Sequence, residues 1–187
     1  MTILRTSAAA LVLIAAAVAA PRSIDTAKST MTVHVAKAGA LSAFGHDHEI
    51  TAPLAGGEVD TDAHRVELHV RSASLKVVDP KASEKDRAEV QKNMAGAEVL
   101  DVEKYPEIRF RSVRAEQAGD GWTVHGELTL HGQTRPVDVT VKEQSGRYVG
   151  SARLKQTEFG ITPIKVAGGT VKVKDELKID FDIALAR

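Results

Sequence analysis

Histidine is the residue type in this sequence that offers the widest range of chemistry. Seven histidines occur in 187 residues, and His46, Asp47 and His48 form a cluster of metal-ligating types. Residues two apart in an extended segment project to the same side, so His46 and His48 could bind one metal ion together. A functional metal site normally has three or four ligands, and the sequence places no third ligand beside this pair. We therefore expect no metal, and expect both histidines to lie in a turn and to hydrogen-bond backbone groups.

Motifs for other chemistry are absent from the sequence. It contains no Gly-x-Ser-x-Gly, Walker A, dinucleotide-binding or His-Glu-x-x-His motif. The absence of Cys excludes disulfides, a Cys nucleophile and Cys-ligated metal centres. Because 25 Lys and Arg residues balance 25 Asp and Glu residues, there is no basic surplus to neutralise nucleic-acid phosphates. These observations predict a protein with no catalytic residues, no cofactor and no nucleic-acid partner.

Apolar residues recur at spacing two in most of the chain, which predicts β-strands with one buried and one exposed face. In residues 66–71, for example, Val66, Leu68 and Val70 share one face and polar residues share the other. Glycine-containing breaks such as Gly56-Gly57 indicate turns between these segments. The pattern predicts about eight strands.

One segment interrupts this alternation. Asp79-Pro80 is expected to end a strand, and Ser83 with Asp86 three positions later suggests a helix capping box. The residues that follow have a weak helical stripe of apolar side chains: Ala88, Val90, Met94 and Ala97. The sequence therefore predicts one short helix of roughly three turns in an otherwise all-β chain.

The N-terminus has the pattern of a secretory signal peptide. Arg5 precedes an unbroken apolar run of 13 residues from Ala8 to Ala20, shorter than the ~20 residues needed to span a bilayer. Ala17 and Ala19 occupy the −3 and −1 positions of a cleavage site after residue 19. We therefore predict a signal peptide over 1–19, a single domain over 20–187, and a periplasmic or secreted location.

Antiparallel strands that each have one apolar face must form two packed sheets or close into a barrel. An up-and-down barrel of about eight strands can enclose one small ligand. The chain has 4% aromatic residues, which are few for filling such an interior. We therefore predict an antiparallel up-and-down β-barrel with a hollow aliphatic interior.

Several motifs, taken in order and spacing, resemble the YceI-like family of secreted bacterial proteins over roughly residues 23–185. The segments that contribute to the resemblance are Ile24-Asp25 with Ser29, Gly45–Ile50, Tyr105–Ser112, Gly126–Arg135 and Phe159–Ile161. One departure is Gln156, which stands where similar members often carry Arg, two residues before the acidic-Phe-Gly run.

The resemblance implies a lipocalin-like barrel whose apolar tunnel holds a polyisoprenoid or a similar lipid, with no catalytic residues. The predicted function is non-catalytic binding, storage or transport of a long-chain hydrophobic ligand, such as a polyisoprenoid or an isoprenoid quinone, in the bacterial cell envelope. One alternative is an envelope stress-response or structural protein, or an interaction partner, that binds no lipid. Another is a metal-assisted enzyme using His46 and His48. The sequence also leaves open two further possibilities, peripheral membrane contact at a barrel mouth and a homodimer.

A lipid tail needs only apolar contacts, because each buried methylene contributes about 0.8 kcal/mol. Candidate lining residues are those on the buried face of a strand or within a matched motif; the alternative is that they pack against one another as core. The predicted ligand-binding residues are Phe44, Leu68, Val70, Phe110, Leu128, Leu130, Val139, Phe159 and Phe181.

Overall fold

The computed structural model describes residues 20–38, 47–166 and 171–186. Within them, one α-helix, α1, spans Glu84–Ala95, and two 3-10 turns span Ser72–Ser74 and Gln156–Phe159. The strands are β1 Arg22–Ser23, β2 Thr30–Ala38, β3 His48–Thr51, β4 Leu54–Asp60, β5 Arg65–Arg71, β6 Lys76–Val77, β7 Glu107–Ala118, β8 Gly121–Leu130, β9 Gln133–Gln144, β10 Arg147–Lys155, β11 Lys165–Val166 and β12 Val171–Ala184.

All strand pairs are antiparallel, and eleven strands form one path in the order β1-β4-β5-β7-β8-β9-β10-β12-β2-β3-β6, with β11 paired to β12. The predicted number of about eight strands was therefore too low. Two interruptions explain much of the difference. Ala52-Pro53 separates β3 from β4, although apolar residues continue at spacing two from Ile50 to Leu54, and the 3-10 turn Ser72–Ser74 separates β5 from β6. Two-residue strands such as β1 and β11 are too short to give a periodic pattern.

The sheet curls until its ends meet. β3 and β4 lie near opposite ends of the strand path, yet only two residues separate Thr51 from Leu54 in the chain. Three Cα steps span at most about 11 Å, so the two ends of the sheet must come together. Near β1, Ile24 forms an antiparallel bridge with Leu185 beyond β12. The predicted all-β, antiparallel barrel is confirmed.

The single predicted helix is present in the described part of the chain. Ser83 caps α1, and its hydroxyl oxygen accepts a hydrogen bond from the Asp86 N–H at 3.1 Å. The 12 residues of α1 make just over three turns, as the sequence predicts. Val90 and Met94, from the predicted apolar stripe, face the barrel interior.

The prediction of a turn at Gly56-Gly57 was wrong, because both residues lie inside β4. The register between β4 and β5 shifts between Leu54 and Gly56. At Gly57 the neighbouring strand approaches so closely that a Cβ would lie 2.4 Å from the Glu67 carbonyl oxygen. Glycine is thus required there for a close approach of backbones within the sheet.

The predicted signal peptide, residues 1–19, lies outside the described residues, as do Phe44 and His46. In the part of the chain that the structure describes, no helix is both long enough and apolar enough to cross a bilayer.

Candidate ligand cavity

The barrel encloses a cavity of about 860 Å³, within the range of about 300–1,000 Å³ common for small-molecule sites. Its wall is formed by the inward faces of the strands. The apolar residues that recur at spacing two, and that were therefore predicted to lie on buried faces, line this wall. These positions are Val33, Val35, Val66, Leu68, Val70, Ile108, Phe110, Val124, Leu128, Leu130, Val137, Val139, Val141, Val173, Ile179, Phe181 and Ile183.

Seven of the nine predicted ligand-binding residues border this cavity: Leu68, Val70, Phe110, Leu128, Leu130, Val139 and Phe181. Phe159 lies elsewhere. It is 0% exposed and packs in the hydrophobic core from the 3-10 turn Gln156–Phe159, where strand alternation does not set side-chain direction. Phe44 falls outside the described residues. Ligand binding by the other seven stays a prediction.

Two glycines on the wall make room for the two aromatic rings that border the middle of the cavity. A Cβ on Gly126 would lie 2.3 Å from the Phe110 ring. A Cβ on Gly150 would lie 2.6 Å from the Phe181 ring and 2.1 Å from the Thr140 carbonyl oxygen. Each ring thus lies over a glycine of the neighbouring strand, in space that a larger side chain at that position would fill. The centre of the barrel therefore stays open.

One end of the cavity, the hairpin end, is formed by the turns joining β4 to β5, β7 to β8 and β9 to β10. Asp60, His64, Trp122, Glu143 and Tyr148 border the cavity here. The rings of His64 and Trp122 are 4.6 Å apart between centroids. Burial raises the pKa of the Tyr148 phenol above 10.0, and the negative charge of Glu143 raises it further. This end therefore combines aromatic rings with polar groups.

The opposite end, the helix end, comprises α1, the 3-10 turn Gln156–Phe159 and the adjacent ends of β2, β3, β10 and β12. The Gln91 side chain fixes α1 to the strands beside it. Its Oε1 accepts a hydrogen bond from the Val77 N–H at 2.9 Å, and its Nε2 donates to the Leu75 carbonyl at 3.0 Å. The helix is thus held by side-chain bonds to backbone groups.

The helix end also contains a buried carboxylate–imidazole pair. Asp79 is 2% exposed, and its Oδ2 lies 2.6 Å from His48 Nδ1. Its other oxygen accepts a hydrogen bond from the Glu49 N–H. Arg87, from α1, donates to the Ala82 carbonyl at 2.5 Å. The expectation that His48 lies in a turn was wrong, because His48 begins β3, and its ring contacts a carboxylate.

Charged side chains that border the cavity come from its two ends. Lys37, Lys172, Asp86 and Glu89 lie at the helix end, and Asp60, Arg65 and Glu143 at the hairpin end. The strand segments between the ends contribute aliphatic residues and two Phe rings. This arrangement can hold an apolar chain along its length with polar groups near either end.

Three histidines on strands, His34, His69 and His125, contact acidic side chains, and His131, in the turn between β8 and β9, contacts a carbonyl. Over residues 20–38, 47–166 and 171–186, no group of three or more His, Asp or Glu side chains is placed to hold a metal ion. The observed pairs are His34 with Asp180 at 3.0 Å, His69 with Glu67 at 3.3 Å, His125 with Asp138 at 2.6 Å, and His131 with the Phe159 carbonyl at 3.2 Å.

Sequence reasoning missed four residues of interest around the cavity. Trp122 and Tyr148 could have been found, because each is the second residue of an alternating strand that follows a glycine-containing turn. Asp79 was interpreted only as the end of a strand. Gln156 was noted only as a departure from the resemblance, yet it is 6% exposed and borders the cavity. No sequence pattern distinguishes a buried Gln from a solvated one.

Curated relatives share part of this sequence. A UPF0312 protein of Vibrio cholerae is 31% identical over 114 residues, covering 55% of this chain and 59% of the relative. A UPF0312 protein of Serratia proteamaculans is 32% identical over 115 residues, covering 56% of each. The chain therefore spans somewhat more than half the length of these relatives.

Solved structures share the fold. BcnA of Burkholderia cenocepacia superposes with a TM-score of 0.62 at 22% identity, covering 88% of this chain and 99% of that chain. The Campylobacter jejuni YCEI protein superposes with a TM-score of 0.50 at 12% identity, covering 74% and 81%. Residues 23–185 match the YceI-like domain, as the sequence motifs predict. Since this match extends over most of the chain, the chain belongs to the YceI-like family.

Proposed function

We propose that this protein binds a long-chain hydrophobic ligand, such as a polyisoprenoid, an isoprenoid quinone or a similar lipid, and stores or carries it in the cell envelope without catalysis. The observation that carries the proposal is the cavity of about 860 Å³ with its apolar wall. At about 0.8 kcal/mol for each buried methylene, a long chain gains ample binding free energy from such a wall. When a membrane lipid moves into this cavity, its head group is the only part that leaves a more polar surrounding.

The shape of the cavity favours a chain over a compact molecule. Tyr148 and Gln156 both border it; Tyr148 lies near the start of β10, and Gln156 directly follows the last residue of that strand. The two residues are eight positions apart, which at about 3.3 Å per residue corresponds to ~26 Å along the strand. Because barrel strands are tilted, this distance corresponds to ~20 Å along the barrel axis. A cavity of about 860 Å³ that extends over this length is narrow.

The alternative functions are favoured less by the same observations. An envelope protein whose barrel binds nothing would be expected to fill its interior with its own side chains, and this interior is hollow. A metal-assisted enzyme would need a third ligand near His46 and His48, and within the described residues no group of three or more His, Asp or Glu side chains is placed to hold a metal ion. Export through a signal peptide over 1–19 is part of the proposal, since it would deliver the protein to the envelope.

Organic extraction of the purified protein followed by mass spectrometry tests the proposal directly. We expect a long-chain lipid in stoichiometric amount. The stripped protein should take up a polyprenol or a quinone, and the single tryptophan, Trp122, reports loading because it borders the cavity. A protein that is purified empty and then fails to take up either probe would contradict the proposal.

A pair of variants separates binding in the cavity from adsorption to the surface. Ala152 borders the middle of the cavity, opposite Val139 and Ile179 on the neighbouring strands, so Ala152→Phe should exclude part of the chain. Val113 is 69% exposed, and Val113→Phe adds similar bulk outside the barrel. We expect Ala152→Phe to weaken uptake at least tenfold and Val113→Phe to leave it unchanged. Equal uptake by both variants would place the ligand outside the barrel.

A further inference from the structure

Gln156 is an unusual residue for the wall of this cavity. Of the four buried polar or charged residues in the described part of the chain, Ser72, Asp79, Ser112 and Gln156, only Gln156 borders the cavity. It is 6% exposed, and its neighbours along the wall include Leu154 and Ile161. A buried polar side chain on an apolar surface has a free-energy cost unless it is hydrogen-bonded.

The hydrogen bonds of the Gln156 amide use only part of its capacity. Its Nε2 donates to the Lys174 carbonyl at 2.8 Å, and across residues 20–38, 47–166 and 171–186 this is the only hydrogen bond of the side chain. A glutamine amide has two N–H groups and a carbonyl oxygen that can accept two bonds. One N–H and the carbonyl oxygen thus stay available for a group inside the cavity.

The backbone that presents Gln156 is held firmly. The next residue, Thr157, donates to the Asp175 carboxylate on β12 from its N–H at 2.9 Å and from its hydroxyl at 2.7 Å. Phe159, at the end of the same 3-10 turn, is 0% exposed. The Ile161 N–H donates to the Gln156 carbonyl at 3.1 Å. The amide is therefore positioned before any ligand arrives, which lowers the cost of ordering it on binding.

We infer that Gln156 is the hydrogen-bonding site for the head group of the bound chain, and that this head group is an uncharged oxygen group such as a hydroxyl or a carbonyl. The inference rests on the proposed function and adds to it the position and chemistry of the head group. The free N–H donates to the oxygen of the ligand, and a hydroxyl can also donate to Oε1. The apolar tail then extends from the helix end towards Tyr148 at the hairpin end.

The electrostatics of the helix end favour a neutral head group. Gln156 itself carries no charge, and an ionised group buried beside it would need a partner of opposite charge. Among the described residues that border the cavity at this end, apart from His48, which contacts the Asp79 carboxylate, the charged ones are two bases, Lys37 and Lys172, and two acids, Asp86 and Glu89. Since their charges balance, they create no excess of positive potential for a phosphate.

The test measures the affinities of three nonaprenyl probes of equal chain length for the stripped full-length protein: the alcohol, the monophosphate and the hydrocarbon without oxygen. Native mass spectrometry and Trp122 fluorescence report binding. For the unmodified protein we expect the alcohol to bind about five- to tenfold more tightly than the hydrocarbon, the ratio expected for about one net hydrogen bond. The monophosphate should bind more weakly than the alcohol.

Gln156→Leu should remove the preference for the alcohol and leave the affinity for the hydrocarbon within about twofold of the original value. Gln156→Met, which keeps an unbranched side chain, serves the same purpose if the Leu variant does not fold. Gln144→Leu is the matched control, because Gln144 is exposed on β9, and it should bind all three probes as before.

Three results would overturn the inference. The first is an alcohol preference that survives Gln156→Leu and Gln156→Met, and the second is a monophosphate that binds more tightly than the alcohol. The third is loss of the preference in Tyr148→Phe, which would place the head group at the hairpin end. In all three the hydrocarbon still binds, whereas failure of every probe to bind the unmodified protein would refute the proposed function itself.

Discussion

The two ends of the cavity are formed by different kinds of interaction. At the hairpin end, residues close in sequence form tight turns, and residues such as His64 and Ser145 adopt positive φ angles of 51° and 52°. At the helix end, side chains form polar contacts with residues far apart in sequence: the buried Asp79 carboxylate contacts the His48 ring and accepts a hydrogen bond from the Glu49 N–H, across about 30 residues. The comparison indicates that the helix end depends on a few long-range polar contacts, and that stability should be most sensitive there.

The largest expected effect comes from removing the Asp79 carboxylate. Asp79→Ala would leave the Glu49 N–H and the His48 ring without their acceptor in a buried site. We expect a loss of about 2–4 kcal/mol in the free energy of unfolding, measured by urea denaturation.

The matched control for that variant is Asp60→Ala at the hairpin end. The Asp60 carboxylate also accepts two backbone hydrogen bonds, from the Asp62 N–H at 3.1 Å and the Ala63 N–H at 2.8 Å. These donors are exposed and can bond to water instead, so we expect a loss of about 0.5–1 kcal/mol. Equal losses in the two variants would refute the proposed difference between the ends.

A smaller effect is expected where Gln91 fixes α1. Gln91→Met keeps the bulk of the side chain but removes both hydrogen bonds, leaving the Val77 N–H and the Leu75 carbonyl without them. We expect a loss of about 1–3 kcal/mol in stability and faster hydrogen exchange in α1. Gln117→Met, at an exposed position near the hairpin end, should change stability by less than about 0.5 kcal/mol. Unchanged exchange in α1 would show that the helix is held by other contacts.

Sequence patterns could predict the wall of the cavity but not the polar contacts of the helix end. The wall follows from period-two alternation, which fixes the face of residues such as Leu68 and Val139 without knowledge of their partners. The Asp79–His48 pair joins residues 31 positions apart, and an Asp-Pro pair indicates a turn whether or not the carboxylate is buried.

Breaks in strands were the other feature that could not be predicted. Gly56-Gly57 has the composition of a turn, but it lies in a strand because the backbone of Glu67 approaches too closely for a side chain. Pro53 interrupts strands although apolar residues continue at spacing two from Ile50 to Leu54. At the 3-10 turn Ser72–Ser74 the apolar positions instead shift by one, from Val70 to Leu75. Local composition alone does not place these boundaries, and tertiary packing decides them.

The hairpin end provides a pH-dependent prediction at Tyr148. Burial and the negative charge of Glu143 raise the phenol pKa above 10.0, while the positive charge of Arg22 lowers it. A raised folded-state pKa contributes stability that is complete below pH 10 and is lost as the pH rises through the folded value. Titration of phenolate absorbance should assign a pKa above 10 to the signal that Tyr148→Phe removes. Glu143→Gln should lower that pKa, and a signal unaffected by Glu143→Gln would contradict the assignment.

The smallest effects are expected from two carboxylates whose pKa is lowered by different partners. At Asp175, burial favours a higher pKa, but the hydrogen bonds from Thr157, the positive charge of Lys155 and a backbone hydrogen bond from Gln156 together lower the pKa below 3.8. At Asp120, near the hairpin end, a hydrogen bond from the Lys142 ammonium lowers the pKa. In both cases the contribution to stability is present above pH 3.8 and is lost as the pH falls through the folded-state value.

Salt distinguishes these two carboxylates. The Lys142–Asp120 pair is exposed and is screened by dissolved ions, whereas the Thr157 donors are neutral groups in direct contact with Asp175. Between pH 7 and pH 3, Asp175→Asn should reduce the pH dependence of urea stability at high salt as well as at low salt, because screening removes the contribution of Lys155 and leaves the hydrogen bonds from Thr157. Asp120→Asn should reduce it only at low salt. If Asp175→Asn also loses its effect at high salt, the 3-10 turn that presents Gln156 is held by solvent-exposed electrostatics, and the two ends of the cavity do not differ in this respect.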